Sequence, residues 1–325
     1  EESGIGKQLT MSGIGNAVLQ WVQLKGMGWN VLGGFSNLGF GKISNWTHAA
    51  GGEDFSISNF AKAEMLTLKT IGGSNNKDAV KIRALMKKFN VLKDNATEVV
   101  EMGAINKAMK KASPYEINKS TEYLNQAPIM IAYMMEKGTW KNFNEKGEWV
   151  GDPSKTYEAA SDEYVDTMIA LTQINKSLHG NYDPDSPIKF KRTIKGRALS
   201  QFRTWMYESF NNRFESNDER ADGQIWDENL GRYKKGRYMS YNFGKKDLLF
   251  GIPVLYRFYQ SFTGGIENEV DAANMRKNAV ELSILMSMMG VGLLLKGLQA
   301  DDDDKDALAM NLAINMLNRL QTDIT

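Results

Sequence analysis

The 325-residue chain contains no cysteine, only two histidines (His48 and His179) and only six prolines. The missing thiols exclude disulfides, thiolate zinc sites, iron–sulfur clusters and a cysteine nucleophile, so any metal site would have to be mostly carboxylate. Two histidines leave little room for a serine–histidine relay, and neither has a partner motif beside it in sequence. Neither sign of charge is in excess: 40 Lys and Arg face 39 Asp and Glu, for a net charge of +1. A globally basic nucleic-acid binder is therefore not indicated, although local basic patches remain. The chain opens Glu1-Glu2-Ser3, with no initiator Met and no basic-then-apolar leader, and is expected to be a piece of a longer polypeptide.

Known catalytic patterns are missing too. Gly4-Ile5-Gly6-Lys7-Gln8 lacks the upstream glycine and the hydroxyl that a P-loop needs, and Gly13-Ile14-Gly15 lacks the third glycine of a dinucleotide fingerprint. Neither H-E-x-x-H nor G-x-S-x-G occurs. Asp183 and Asp185 form a D-x-D pair of the kind that holds Mg²⁺ against phosphates, but Pro184 and Pro187 make a plain loop the better reading. No catalytic, cofactor-binding or metal-ligating residue is assigned. No cofactor and no small-molecule substrate are expected, and the segment is not expected to be an enzyme.

What is present is apolar mass at helical spacing. Hydrophobic residues make up 42% and charged residues 24%, which is ordinary globular usage, sufficient for a core and far from disorder. The length suits two domains or one extended helical body. A stripe at 8–25 (Leu9, Ile14, Val18, Trp21, Val22) predicts a helix. Eight glycines follow between Gly26 and Gly52, interleaved with Trp29, Phe35, Phe40 and Trp46. Each costs about 1 kcal/mol in a helix interior relative to alanine. The stretch is therefore either a tightly packed, irregular helix and loop, or a segment seeking a membrane or a partner.

Further helices are predicted at 58–71, 76–92 and 95–112, then from Ser113-Pro114 to about Glu136 with a kink at Pro128, and over 154–178. Others are expected at 188–214, 245–262, 266–298 and 305–323. The aromatics of 188–214, Phe210 and Phe214 among them, lie on the periodic stripe and read as core. Between Glu281 and Lys296, fourteen residues carry no charge. That is short of the roughly 20 apolar residues of a spanning helix, and the run reads as a buried core helix, with an interfacial or partner-bound segment as the alternative. Short hairpins are expected at 140–150 and within 224–243. The fold class is mainly α, an irregular multi-helix assembly with one or two short β-hairpins. Residues 1–138 form a helical, glycine-rich N-terminal region, 139–153 a hairpin or linker, and 154–325 a helical C-terminal region.

Three stretches together carry a resemblance. They are Phe35-Ser-Asn-Leu-Gly-Phe-Gly-Lys-Ile-Ser-Asn-Trp-Thr-His-Ala-Ala-Gly-Gly, then Gly196-Arg-Ala-Leu-Ser-Gln-Phe-Arg-Thr-Trp-Met-Tyr-Glu-Ser-Phe-Asn-Asn-Arg-Phe-Glu, and Asn315-Met-Leu-Asn-Arg-Leu-Gln-Thr-Asp-Ile. Their order is similar to the large virion-packaged proteins of tailed bacteriophages, especially the crAss-like group. The resemblance implies a structural or cargo protein held in the capsid, portal or tail interior and delivered to the host cell on ejection. It brings no catalytic residue onto this chain. Absent cysteines, scarce prolines and abundant glycines agree with a chain that must unfold and refold in transit.

The partners it implies are other virion proteins, namely portal, tail or further copies of the same chain. Two other expectations stand beside this one. A membrane-active ejection component would meet the host membrane through Val31–Ile43 and Leu282–Leu295. A nucleic-acid-handling module would meet phage DNA through basic runs at 77–93, 189–203 and 232–246, provided the runs share one face.

Overall fold

The computed structural model describes residues 31–70, 76–92, 116–159, 161–179, 210–217, 219–227, 231–240 and 252–299. The fold is mainly α with one small antiparallel sheet. The helices expected at 8–25, 95–112 and 305–323, the Asp183/Asp185 loop and most of 188–214 lie outside the described residues.

Residues 26–30 of the glycine-rich stretch lie outside the described residues; residues 31–51 form one continuous helix, α1 (Val31–Gly51), where an irregular helix and loop was one expectation. It is followed by α2 (Ile57–Lys69), α3 (Lys77–Lys88) and α4 (Glu116–Glu136). Side-chain caps set the starts of two of these. Ser56 Oγ accepts from Asn59 N at 3.4 Å to open α2, and Asn76 Oδ1 accepts from Asp78 N at 3.1 Å to open α3. Glu136, the last residue of α4, accepts from Ser56 N at 2.9 Å and Asn59 Nδ2 at 2.7 Å, tying the end of one helix to the start of another.

The crossing of α1 and α4 explains how Pro128 is tolerated inside α4. Proline has no N–H for the carbonyl four residues back, and its ring pushes that carbonyl aside. The carbonyl is that of Leu124, and it accepts instead from Lys42 Nζ of α1 at 2.6 Å. One turn along α1, Asn45 Nδ2 donates to Asn125 O at 2.8 Å. Glycine at position 41 permits this approach, because a Cβ there would lie 2.2 Å from the Asn125 amide nitrogen. Past the proline, Ile129, Met130, Ile131, Ala132 and Met134 are fully buried, as expected of a helix that is apolar on all sides.

These helices and α5 (Asp162–His179) enclose the core. Phe55 stacks on Phe60 at 5.6 Å, and Trp46 meets Phe60 edge-on at 5.0 Å. Phe89, Phe143, Trp149 and Tyr157 form a second aromatic group, with Trp149 and Tyr157 centroids 4.5 Å apart. The expected hairpin at 140–150 is a 3₁₀ turn, Trp140–Asn142, and a single bridge, Phe143 to Trp149. Its aromatic side chains are packed into the core.

The helix expected from Ser154 begins only at Asp162. Polar turn bonds claim the intervening residues: Ser154 N donates to Asp152 Oδ1 at 2.9 Å, and Ser161 Oγ to Thr156 O at 2.8 Å.

In the C-terminal half, β1 (Ile225–Asp227) pairs antiparallel with β2 (Arg232–Lys234), with Trp226 opposite Tyr233. A 3₁₀ turn, Arg237–Ser240, follows. Helices α6 (Ile252–Thr263) and α7 (Glu269–Gln299) pack on each other. They are separated by a break at Gly264, whose φ of +78° suits glycine.

The first half of α7 docks on α1. Ala273 and Met275 are buried in this half, and Asn274 and Asn278 are buried where they donate to Lys235 O, Ser240 Oγ and Arg237 O. Arg276 donates to the last carbonyls of α1, Ala50 O at 3.1 Å and Gly51 O at 2.6 Å, which caps that helix with a cation at its negative end.

The second half of α7 overturns the buried-core reading of 282–295. Leu282, Met286, Met289, Val291 and Leu294 are exposed, Leu294 at 70%. Phe210 and Phe214, read as core from their spacing, are exposed as well and pair with each other at 4.9 Å.

Candidate functional site: a charged cleft and an exposed apolar hairpin

A cleft of about 440 Å³ opens where the ends of α1 and α5 meet β2, the 3₁₀ turn after it and the middle of α7. Its walls are charged because these elements together bring cations and carboxylates to the same place. From the turn after α1 come Glu53 and Asp54. Arg232 of β2 grips Asp54 with both guanidinium ends, Nη1 to Oδ1 at 2.9 Å and Nη2 to Oδ2 at 2.8 Å. His48, on the last turn of α1, shares Asp54 Oδ2 at 2.8 Å. Lys277 of α7 pairs with Glu53.

At the other end, Glu281 of α7 accepts from two arginines on one oxygen, Arg213 Nη2 at 2.8 Å and Arg237 Nη2 at 3.0 Å. Tyr238 Oη donates to its second oxygen at 3.3 Å. Lys234 bridges Glu215 at 3.2 Å and Asp227 at 3.1 Å, and Lys235 meets Asp271 at 3.2 Å.

These contacts set the protonation of the groups. Burial alone would raise the Asp54 carboxyl, but the hydrogen bonds and charges of His48 and Arg232 outweigh it and hold the group well below the usual carboxylate range. Burial likewise opposes ionisation of Glu53, and Lys277, Arg232 and His48 together outweigh it, so its pKa is also lowered. Burial works against the charged forms of Arg232 and Lys234, and their carboxylate neighbours reverse that and raise both. Glu53, Asp54, Arg232 and Lys234 are therefore all charged at neutral pH.

A second polar cluster lies between α1, α2, α4 and α5. Lys42 donates to both oxygens of Glu64, at 2.6 and 2.7 Å, as well as to Leu124 O. Burial lowers the Lys42 pKa, with Glu64 offsetting part of the effect. His179, at the end of α5, is buried with Nε2 unpartnered, and burial followed by the charge of Lys42 lowers it to about 4.

The expected interaction segments fall as follows. The cations described in the run 232–246 are turned inward to Asp54, Glu215, Asp227, Asp271 and Glu281. In the run 77–93, Lys81 Nζ donates to Trp140 O at 2.7 Å and Lys88 Nζ to Gly147 O at 3.2 Å, while Lys77 pairs with Glu145. The run 189–203 lies outside the described residues.

Of the two membrane-seeking candidates, Val31–Ile43 is the first part of α1, and Leu282–Leu295 belongs to an exposed hairpin. There α6 presents Leu255, Tyr256, Tyr259 and Phe262, and α7 adds the five exposed residues named above. Among the described residues no helix is long and apolar enough to cross a membrane, and no group of three or more His, Asp or Glu is placed to hold a metal.

Sequence reading missed the cleft. Its parts lie up to 241 residues apart, from Phe40 to Glu281, and no local spacing announces them. Compared with protein-family models, curated proteins and solved structures, the chain matches none.

Proposed function

We propose that this chain is a structural and cargo segment of a tailed-phage virion, held in the capsid–portal–tail region by packing against neighbouring chains and delivered to the host on infection. The segment itself carries no catalysis in this reading. The single observation that supports it is the α6–α7 hairpin, on which nine large apolar side chains face solvent. Soluble monomers seldom present a contiguous apolar patch of more than a few hundred Å², and such a face calls for a neighbour.

The test is mass spectrometry of gradient-purified particles, with a photo-reactive methionine analogue in the chain to cross-link its neighbours. Peptides of this chain and cross-links from Met286 or Met289 to other virion proteins are expected. Particles free of the chain would refute the assignment.

A second reading rests on the same hairpin. The absence of charge from Leu282 to Leu295 would also suit the headgroup boundary of a bilayer, as in an ejection component that acts on the host membrane. Co-sedimentation of the whole chain with liposomes, abolished by Met286→Glu, would favour it. The nucleic-acid reading has less support, because the described cations of 232–246 pair with carboxylates, and Lys81 and Lys88 of 77–93 donate to backbone carbonyls.

A further inference from the structure

We propose that the described C-terminal half, β1 to α7, is a movable unit, latched to the N-terminal core by cations that converge on Ala50–Asp54, and that it undocks as a body before that core melts. Such a device belongs to the fold and does not depend on the virion reading.

Apolar packing divides the molecule first. The large hydrophobic cluster is built from residues between Trp46 and Leu178, and no described residue of 210–299 belongs to it. Ala272, Ala273 and Met275 of α7 are buried, yet they stand outside the cluster. Polar bonds knit the C-terminal elements to one another instead. Asn274 and Asn278 of α7 donate to Lys235 O and Arg237 O at 2.9 and 3.0 Å, and Arg276 Nη1 donates to Ser261 O of α6 at 2.9 Å. The strand pair, the 3₁₀ turn, α6 and α7 are thereby tied into one unit.

Three cations of this unit reach across to the other half, and all three land on five consecutive residues. Arg276 takes Ala50 O and Gly51 O, Lys277 takes Glu53, and Arg232 takes Asp54. Gly51 leaves room for the approach, since a Cβ there would lie 2.4 Å from Lys277 Cε.

The two regions differ in what opening costs. An ion pair held away from water gains attraction but loses hydration, and the two terms largely offset each other. Opening the latch gives water back to Glu53, Asp54, Arg232 and Lys277. Opening the apolar cluster recovers nothing of that kind and exposes hydrophobic surface to water. Units within one chain move relative to one another unless their interface is large and hydrophobic, and folded chains open in cooperative pieces at less cost than global unfolding. The cleft lies on this seam, with walls from both halves, so undocking also opens the cleft.

The whole chain has no cysteine, so Val150→Cys and Met239→Cys together place a pair of spin labels on exposed sites of the two halves. Urea titration is then followed by the distance between the labels and by the far-ultraviolet helical signal. The labels should separate at lower urea than the helical signal is lost, whereas a two-state chain shows coincident transitions. Arg232→Gln should favour the open form about tenfold, the scale of a hydrogen bond to a charged group, and should shift the label transition to lower urea. Lys234→Gln removes a cation whose partners, Glu215 and Asp227, lie in its own half, and should leave that transition in place.

Coincident transitions in the labelled parent chain would overturn the proposal, and would do so even if Arg232→Gln failed to fold. So would an Arg232→Gln label transition that moves no further than that of Lys234→Gln.

Discussion

Two helical runs in this chain are alike in composition and opposite in fate. Residues 129–135 of α4 and 282–295 of α7 are both charge-free and rich in Met and aliphatic residues. The first is buried on nearly every side, whereas the described side chains of the second are largely exposed. The difference lies in what precedes each run. Before 129, Pro128 leaves the Leu124 carbonyl without its helical partner, and Lys42 and Asn45 of α1 bind the carbonyls at that turn. Polar contacts thus pull an apolar helix into the centre. Before 282, Glu281 is fixed by Arg213 and Arg237, and the polar contacts stop there. α7 is held by its polar half and leaves its oily half outside. Apolar content therefore fails to separate core from interface in this protein, and the polar clamp next to each run decides which it becomes.

The largest effect is expected where that clamp is cut. Lys42→Met removes the donor to Leu124 O and strands Glu64, which is otherwise buried. Breaking such a pair from one side costs about 3–5 kcal/mol, and urea unfolding of the variant should show a loss of that size. Adding Glu64→Gln should recover part of it, because no buried charge is then left alone. A Lys42→Met variant as stable as the parent would mean that α4 does not depend on α1 for its proline turn.

Next in size comes a truncation inside the buried run. Ile131→Ala leaves a cavity beside Met130 and Met134 and should lower stability by about 2–5 kcal/mol. A small loss would show that this core collapses around the gap, and the contrast with α7 would then be less sharp.

The two runs also show what could be read from the chain and what could not. The helices at 57–69, 77–88, 116–136 and 252–299, the break at Gly264 and the strand pair around Gly231 follow from spacing and turn residues, which act locally. Whether Leu282–Leu295 or Phe210 and Phe214 face inward depends on partners distant in sequence, so periodicity misplaced them. The rescue of Pro128 by Lys42 spans 82 residues, and the Arg232–Asp54 fork spans 178. Gly41 carried no mark of its own among the five glycines of α1, and its meaning required knowing that Asn125 lies opposite.

The third effect is on pH. His179 is buried beside Lys42, and its pKa falls from 6.5 to about 4. The folded state thus binds this proton less readily than the unfolded chain. His179 burial is harmless above pH 6.5 and destabilises the fold progressively as pH drops from there toward 4. Stability should therefore decline in acid across that window, and His179→Gln should flatten the decline without abolishing folding. The carboxylate Asp54 acts lower on the scale. Its pKa is depressed in the fold, so its contribution is full above the unfolded carboxyl range of about 4 and is lost only below it. A decline between pH 6.5 and 4 that persists unchanged in His179→Gln would assign the effect elsewhere.

The smallest folding effect, and the one that sharpens the comparison most, is expected at Met289. It lies on the exposed side of α7 at 52% exposure, so Met289→Ala removes little buried area and should change unfolding free energy by no more than about 0.5 kcal/mol. Its consequence should appear instead in assembly, because side chains at the centre of an apolar contact carry much of the binding energy. Cross-linking to neighbours in the particle should fall in the Ala variant and fall further in Met289→Glu, while both melt as the parent does. A Met289→Ala loss as large as that of Ile131→Ala would mean that this end of α7 is covered within the folded chain itself. The apolar hairpin would then be core, and the argument for a neighbour would lose its footing.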